Sequence, residues 1–367
     1  MSNSQAFITD RPFSDASAEF LSCLSARIFQ EGKHKSELYP VAFFCRKSNL
    51  LKLRVKYGPA ALPCGVALFI CPKNVDALGC WALVFGILSG NYTVVRPRIP
   101  SGVFEEFVEL AQETDWRCGT GIFERVCLIG SADDEPLQYW SRSAQVRVCW
   151  GGNESIAKYA SFPVPAECRN VYFGHRNSLS VIDCAAVRLD VQTAAEEFFR
   201  CAYTGRQASC SSPRAVYFLH YDRDTVADFW ARVGALAQKI AWTPADIAEK
   251  YAELCACLAR YPLKVTAYGN CLYVLEGEAF RWTENPPKGF GTFFSFPADT
   301  LGVCIEGLDQ IQTISYYGAD PKEIFGAVLR SGNLTVSRIV ELKDVLDFGA
   351  TADGVDIFSA LLRFVRL

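Results

Sequence analysis

Residues Gly65–Ile70 read GVALFI, Ala77–Gly90 form one apolar stretch, and Tyr92–Arg96 read YTVVR. Strand, buried helix and strand in about thirty residues make a βαβ unit, which forces a parallel sheet with a right-handed crossover. The alternation then repeats. Val103, Phe104, Phe107, Val108 and Ala111 mark a helix opening near Pro100–Ser101, and Arg125–Ile129 is a strand before Gly130–Ser131. Gln145–Cys149 is a further strand, running into Trp150–Gly151–Gly152 and a helix from Asn153. This pattern specifies a doubly wound α/β domain.

After Val171–Phe173 a second unit of the same kind begins. Ser178–Asp183 predicts a strand, Val191–Tyr203 a helix with Ala195, Phe198, Phe199 and Ala202 on one face, and Arg214–Leu219 another strand. Thr243-Pro244-Ala245-Asp246 combines an N-cap hydroxyl, a proline at the first helical position and an acid three residues after the cap, so a helix should run to Arg260. Glu276–Pro297 is rich in glycine, proline and aromatics without a period and reads as a substrate-facing loop. Ile324, Phe325, Val328 and Leu329 form the last helical stripe before Gly332.

The fold class expected is α/β with two doubly wound domains and the active site in the crevice between them. Residues 1–173 would bind a dinucleotide and residues 174–333 would carry the nucleophile. Residues 334–367 would pack back on the domains or on a subunit.

Charge excludes some functions. The chain has 37 basic and 40 acidic residues, so no large positive field is available for nucleic acid. The stretch Ala77–Gly90 is shorter than the roughly 18 residues of a membrane span and is flanked by Lys73, Asp76 and Arg96. The start MSNSQAFITDRPF has neither a basic region nor an apolar core, so the cytoplasm is the expected compartment. Sixteen cysteines lie mostly in apolar runs such as LGCWALVF and RVCLIG and read as small core residues. No C-x-x-C exists, Cys255 and Cys257 point to different faces of one helix, and only His34, His175 and His220 are present, so no metal site is expected.

One cysteine differs in context. Cys210 lies in Gly205-Arg206-Gln207-Ala208-Ser209-Cys210-Ser211-Ser212-Pro213-Arg214, a polar turn between a helix and a strand. Its sulfur is either an inconsequential turn thiol or a nucleophile whose surrounding amides could stabilise a thiolate and an oxyanion. Asn74, in Cys71-Pro72-Lys73-Asn74-Val75 after a buried strand, is either a helix cap or a polar amide at a crevice mouth. Arg96 and Arg98 leave the next strand and either hold a phosphate or face solvent. Gly130, Ser131, Gly151 and Gly152 lie at strand-to-helix turns suited to a pyrophosphate, although no G-x-G-x-x-G is present. His175 could offer a base, or be a structural residue at a strand end. The absence of G-x-S-x-G argues against a serine hydrolase.

Together these segments resemble the LuxC-type acyl-CoA reductases, a branch of the aldehyde dehydrogenase superfamily, over most of the chain from about Pro63. Cys71–Val75 resembles the family's proline-x-asparagine turn, Tyr92–Arg96 its strand ending in a cofactor-binding basic residue, and Trp150–Glu154 its tryptophan-glycine-glycine segment. Gln207, Cys210 and Arg214 carry the spacing around the family nucleophile. Gln312-Thr313, Ser337–Val340 and Asp353-Gly354 resemble further blocks. Where hydrolytic relatives carry a water-activating glutamate this chain has Tyr172, and their glutamate-x-phenylalanine-glycine-proline motif is missing.

The resemblance implies an NADPH-dependent reductase that takes an acyl-CoA or acyl-carrier-protein thioester to the aldehyde through a thioacyl intermediate on Cys210. Asn74 would hold the oxyanion, and Arg96, Arg98, Gly130, Ser131, Gly151 and Gly152 the cofactor. NADPH is expected because the acidic position of NAD-preferring relatives falls on Ile99, beside Arg98. An acyl-activating synthetase would be a fitting partner, and a homo-oligomer stays open. Two alternatives also stay open: a cofactor-free acyltransferase or thioesterase using Cys210 with His175, and a non-catalytic scaffold for an acyl-activating enzyme.

Overall fold

The computed structural model describes residues 7–72, 77–97, 102–130, 134–287, 290–347 and 349–366. The chain divides into two compact units, Met1–Gly174 with Phe348–Leu367, and His175–Asp347.

The first unit is built on five parallel strands: β1 (Val66–Ile70), β2 (Tyr92–Arg96), β3 (Val126–Leu128), β4 (Val146–Trp150) and β5 (Arg169–Phe173), in the order β3-β2-β1-β4-β5. The central strand explains its own sequence. Ala67 and Phe69 enter one apolar cluster, with the helices Leu78–Ser89 and Gly102–Cys118, while Val66, Leu68 and Ile70 enter another with Leu137, Tyr159 and Phe162. A strand buried on both faces has no polar face to alternate with, hence the continuous run. All twelve residues of Leu78–Ser89 are buried, and Gly90 ends that helix in the left-handed region at φ 74°. A side chain at Gly90 would meet the Asp10 carbonyl oxygen at 2.2 Å, so glycine is required there twice over.

The second unit holds seven strands: β6 (Asn177–Asp183), β7 (Ala215–Leu219), β8 (Lys264–Tyr268), β9 (Leu272–Glu276), β10 (Thr292–Ala298), β11 (Ile311–Tyr317) and β12 (Arg338–Glu341). Their order is β12-β11-β6-β7-β10-β9-β8, and only the edge pair β8–β9 is antiparallel. Helices Val191–Tyr203 and Arg223–Ala237 cover one face with Phe198, Phe229 and Trp230, and Pro244–Arg260 and Pro321–Ser331 contribute Leu254 and Ile324 to the cluster on the other. In Val191–Tyr203 the buried stripe is Ala194, Ala195, Phe198, Cys201 and Ala202, and the half-buried Phe199 stacks on Tyr203 at 4.8 Å.

Two readings of the sequence are corrected. Glu276–Pro297 is not a loop throughout, because β10 lies between β7 and β9 with Thr292–Phe296 buried. Its aromatics serve both faces of a central strand and so show no period. The second unit also extends past residue 333: β12 adds a strand to its sheet, and only the residues after Asp347 return to the first unit. There Phe358 packs on Phe13, Tyr57 and Phe85 at ring distances of 5.1 to 5.6 Å, and Leu362–Phe364 pairs antiparallel with Ala61–Pro63. Asp353-Gly354 forms the two-residue turn of the hairpin Thr351–Ala352/Val355–Asp356, with both φ positive (47° and 73°) as a type I′ turn demands.

No helix among the described residues is long and apolar enough to cross a membrane.

Candidate active site

Helix Val191–Tyr203 ends in a turn, Thr204–Gln207, in which Gly205, Arg206 and Gln207 adopt φ of 65°, 58° and 56°. Two consecutive non-glycine residues in the left-handed region cost roughly 1 to 2 kcal/mol each, so something must hold them. Gln207 does much of this. Its side chain, 1 % exposed, donates to the carbonyls of Pro213 (3.0 Å) and Thr292 (3.3 Å) and accepts from the Gly291 amide (2.9 Å). One buried amide thus ties the entry of the loop, its exit and the start of β10 together.

Arg214 closes the loop from the other end. Its guanidinium donates to the Gln207 carbonyl at 2.6 Å, and its main chain bridges β6 and β10 through the Ser178 carbonyl (2.8 Å) and the Phe294 amide (3.0 Å). Burial lowers its pKa to about 10, which still leaves it charged at neutral pH. Arg206 pairs with Asp246, whose amide and carboxylate form the capping box with Thr243 that starts helix Pro244–Arg260. The Arg206 guanidinium also lies 5.1 Å over the Phe290 ring, Phe290 stacks on Trp242 at 4.6 Å, and the buried Lys250 ammonium sits 4.3 Å over Trp242.

Cys210 lies at the crest of this loop and is exposed. Ser178 of β6 donates its hydroxyl to the Cys210 carbonyl at 2.5 Å and accepts from the Thr313 amide at 3.3 Å. The main chain at the sulfur is therefore fixed to the sheet. Ser209 and Ser211 bond to each other at 2.8 Å on either side. Among the cysteines only Cys210 and Cys255 are exposed. Burial pushes the thiols of Cys71, Cys149, Cys257 and Cys304 up to about 12, so they stay protonated at neutral pH. Nothing in the sequence marked Ser178, Thr292 or Asp246 as parts of this site, because they act through register and packing.

Replacing Gln207 by leucine should therefore leave three buried main-chain groups without their partner and cost about 2 to 4 kcal/mol. Thermal unfolding of Gln207→Leu checks this: a melting temperature equal to that of the wild type would show that the loop does not depend on the brace.

In the first unit four of the expected cofactor residues, Arg96, Gly130, Gly151 and Gly152, lie at the carboxyl ends of parallel strands. Gly130 follows β3, and Gly151 and Gly152 follow β4. A side chain built at Gly130 or Gly152 would meet nothing within 4 Å among the described residues, so their packing does not call for glycine at either place. A groove of about 350 Å³ beside Gly130 is lined by Pro97, Phe104, Val108, Leu128 and Ile129, with Glu105 and Glu109 on its wall. Arg96 is 5 % exposed and donates to the Tyr159 hydroxyl at 2.7 Å. Asn74, Arg98 and Ser131 lie outside the described residues. His175 is exposed at the start of the second unit, and its carbonyl accepts from Arg176 at 2.9 Å.

Tyr172 has a structural occupation. Its hydroxyl accepts from the buried Arg147 guanidinium at 2.9 Å, and Arg147 also holds Asn170 (2.8 Å) and the Phe162 carbonyl (3.3 Å).

The architecture has known counterparts. An NAD-dependent aldehyde dehydrogenase from Sinorhizobium meliloti superimposes with a TM-score of 0.72 at 13% identity, over 97% of this chain and 82% of that one. A benzaldehyde dehydrogenase from Corynebacterium glutamicum (TM-score 0.66, 12% identity, 90% and 81% covered) and an indole-3-acetaldehyde dehydrogenase solved with NAD+ (0.68, 14%, 95% and 82%) share it. The fold is thus that of the aldehyde dehydrogenases. No curated protein matches the chain in sequence. The family model for acyl-CoA reductase (LuxC) matches residues 51–267, a span that begins before β1 and includes the Cys210 loop. The chain belongs to the LuxC family of acyl-CoA reductases.

Proposed function

We propose that this chain reduces an acyl-CoA or acyl-carrier thioester to the aldehyde with NADPH, through an acyl group carried on Cys210. The braced, exposed Cys210 loop is the observation that supports this best: a nucleophile needs a fixed main chain and an accessible sulfur together, and only this thiol combines the two among the described cysteines.

The sulfur of Cys210 attacks the thioester carbonyl, the carbon–sulfur bond to the CoA or carrier thiol breaks, and the acyl group passes to the protein. The Cys210 amide and the Asn74 side chain would hold the oxyanion formed in that attack. The residues suited to a nicotinamide dinucleotide are present, since the open glycines Gly130 and Gly152 leave room for a pyrophosphate. Gly151, Ser131 and Arg98 would complete that cradle, with Arg96 behind it. When bound, the cofactor supplies a hydride to the acyl carbon. Cys210 is released as the aldehyde leaves.

Tyr172 is engaged by Arg147 and has no carboxylate chemistry to offer a water molecule, so the acyl group should persist on the protein in the absence of reductant. Product analysis after incubation with an acyl-CoA and NADPH tests the whole reading. Aldehyde is the expected product, and rapid release of free acid without cofactor would overturn it.

Cofactor choice rests on two opposed features. Ile99 stands where NAD-preferring relatives place a carboxylate, and Arg98 beside it could grip a 2′-phosphate with charge-assisted bonds worth about 1.5 to 3 kcal/mol, roughly 10- to 150-fold in affinity. Glu105 and Glu109 on the groove wall would repel that phosphate and favour NADH as the second reading. Catalytic efficiencies with both cofactors should show NADPH preferred and Arg98→Ala losing the preference. A wild type that prefers NADH assigns selection to the glutamates instead.

A further inference from the structure

Neighbouring register positions of a parallel sheet present their side chains on the same face. Thr313 on β11 pairs with Ser178 on β6 and, on its other side, with Arg338 on β12. Ser178, Thr313 and Arg338 therefore form one row across three strands, about 10 Å from end to end at the usual strand spacing. Ser178 at one end of the row holds the Cys210 carbonyl. Arg338 at the other end carries a long cationic side chain on that face.

What holds the half-buried Arg338 is main chain and not a carboxylate. Its guanidinium donates to three main-chain carbonyls, Asp344 (2.7 Å), Val345 (2.6 Å) and Asp347 (3.1 Å). Among the described residues no carboxylate forms an ion pair with it. Carbonyls orient a guanidinium without neutralising it, so its charge remains available to a neighbouring anion. Cys210 belongs to the loop that Ser178 holds at the other end of this row. Burial lowers the Arg338 pKa, and Asp347, Asp344 and Cys210, in that order, hold it up.

We infer that Arg338 is a positioning residue for the nucleophile: its charge, held by main-chain carbonyls, keeps the Cys210 sulfur ionised near neutral pH. The inference rests on the reading of Cys210 as the nucleophile and adds the group that activates it. Of the other cations around the loop, Arg214 is also held by a main-chain carbonyl, and its field is unchanged in the Arg338 variants. Arg206 is paired with Asp246, and Arg214 is bound to the Gln207 carbonyl and faces Glu253. Asp344 and Asp347 offset part of the Arg338 field, which sets the size of the effect.

The test is the pH dependence of iodoacetamide alkylation at Cys210 in the full chain, followed by peptide mass spectrometry so that the exposed Cys255 is scored separately. Arg338→Gln should raise the apparent pKa of Cys210 alkylation by about one unit and slow alkylation at pH 7 roughly two- to fivefold. Arg338→Lys keeps the charge and should leave the apparent pKa within about 0.3 unit of the wild type, which carries the test if the glutamine variant does not fold. A folded Arg338→Gln protein with the wild-type profile, or a lysine variant as slow as the glutamine one, overturns the inference. Transfer of an acyl group from acyl-CoA is measured in parallel. Arg338-dependent alkylation without acylation would remove the proposed reaction and leave the role of Arg338 intact.

Discussion

Cys210→Ala should lower turnover by at least about 10,000-fold, because without the sulfur there is no covalent carrier for the acyl group and no other thiol can replace it. Nine of the sixteen cysteines are buried, and Cys255, the only other exposed one, lies within the helix Pro244–Arg260 and not on a loop braced to the sheet. The substitution removes a side chain whose carbonyl is held by Ser178 in a loop that Gln207 and Arg214 brace at its ends, so the fold and the affinity for cofactor should survive. Parallel measurement of rate and of cofactor binding separates the two possibilities. Residual turnover above about 1 % would mean that the sulfur is not the carrier.

Asn74→Ala should lose about 100- to 1000-fold in rate with little change in cofactor affinity, the range expected when one oxyanion donor is removed from a preorganised site. The physical setting is the carboxyl end of β1. The ladder there runs one bond beyond the strand, from the Cys71 amide to the Arg96 carbonyl at 3.1 Å, three residues ahead of Asn74 in the sequence. In open α/β sheets ligands bind at that edge. Because the oxyanion exists only after the sulfur has attacked, the loss should fall on the rate and spare binding. A fall in rate of less than about fivefold makes Asn74 a helix cap, with the oxyanion held elsewhere.

The parts of this molecule that were legible in the sequence are those whose neighbours in space are also neighbours in the chain. The run Val66–Ile70 announces a strand covered on both sides, and Thr243-Pro244-Ala245-Asp246 announces a helix start, since each signal is local. Cys210 stood out because its surroundings are polar while most cysteines sit in apolar elements. β10 was hidden for the opposite reason. Aromatics on both faces erase its period, and Pro297, exposed near the end of the strand, imitates a loop signal. The helix Lys47–Tyr57 shows only Leu50 and Tyr57 buried, too sparse a stripe to read. The residues that brace the Cys210 loop were illegible as a set. Gln207 reaches Gly291, Ser178 reaches Cys210 and Arg338 aligns with Thr313 only once strand order and register exist.

The central claim is that Cys210 carries the acyl group, and it is tested most directly by incubating the wild-type chain with an acyl-CoA and no reductant, then mapping the adduct by peptide mass spectrometry. The account predicts one acyl group per chain, on Cys210, removed by hydroxylamine as a thioester is. An adduct on Cys255 or any other residue, or an unmodified protein, would contradict it.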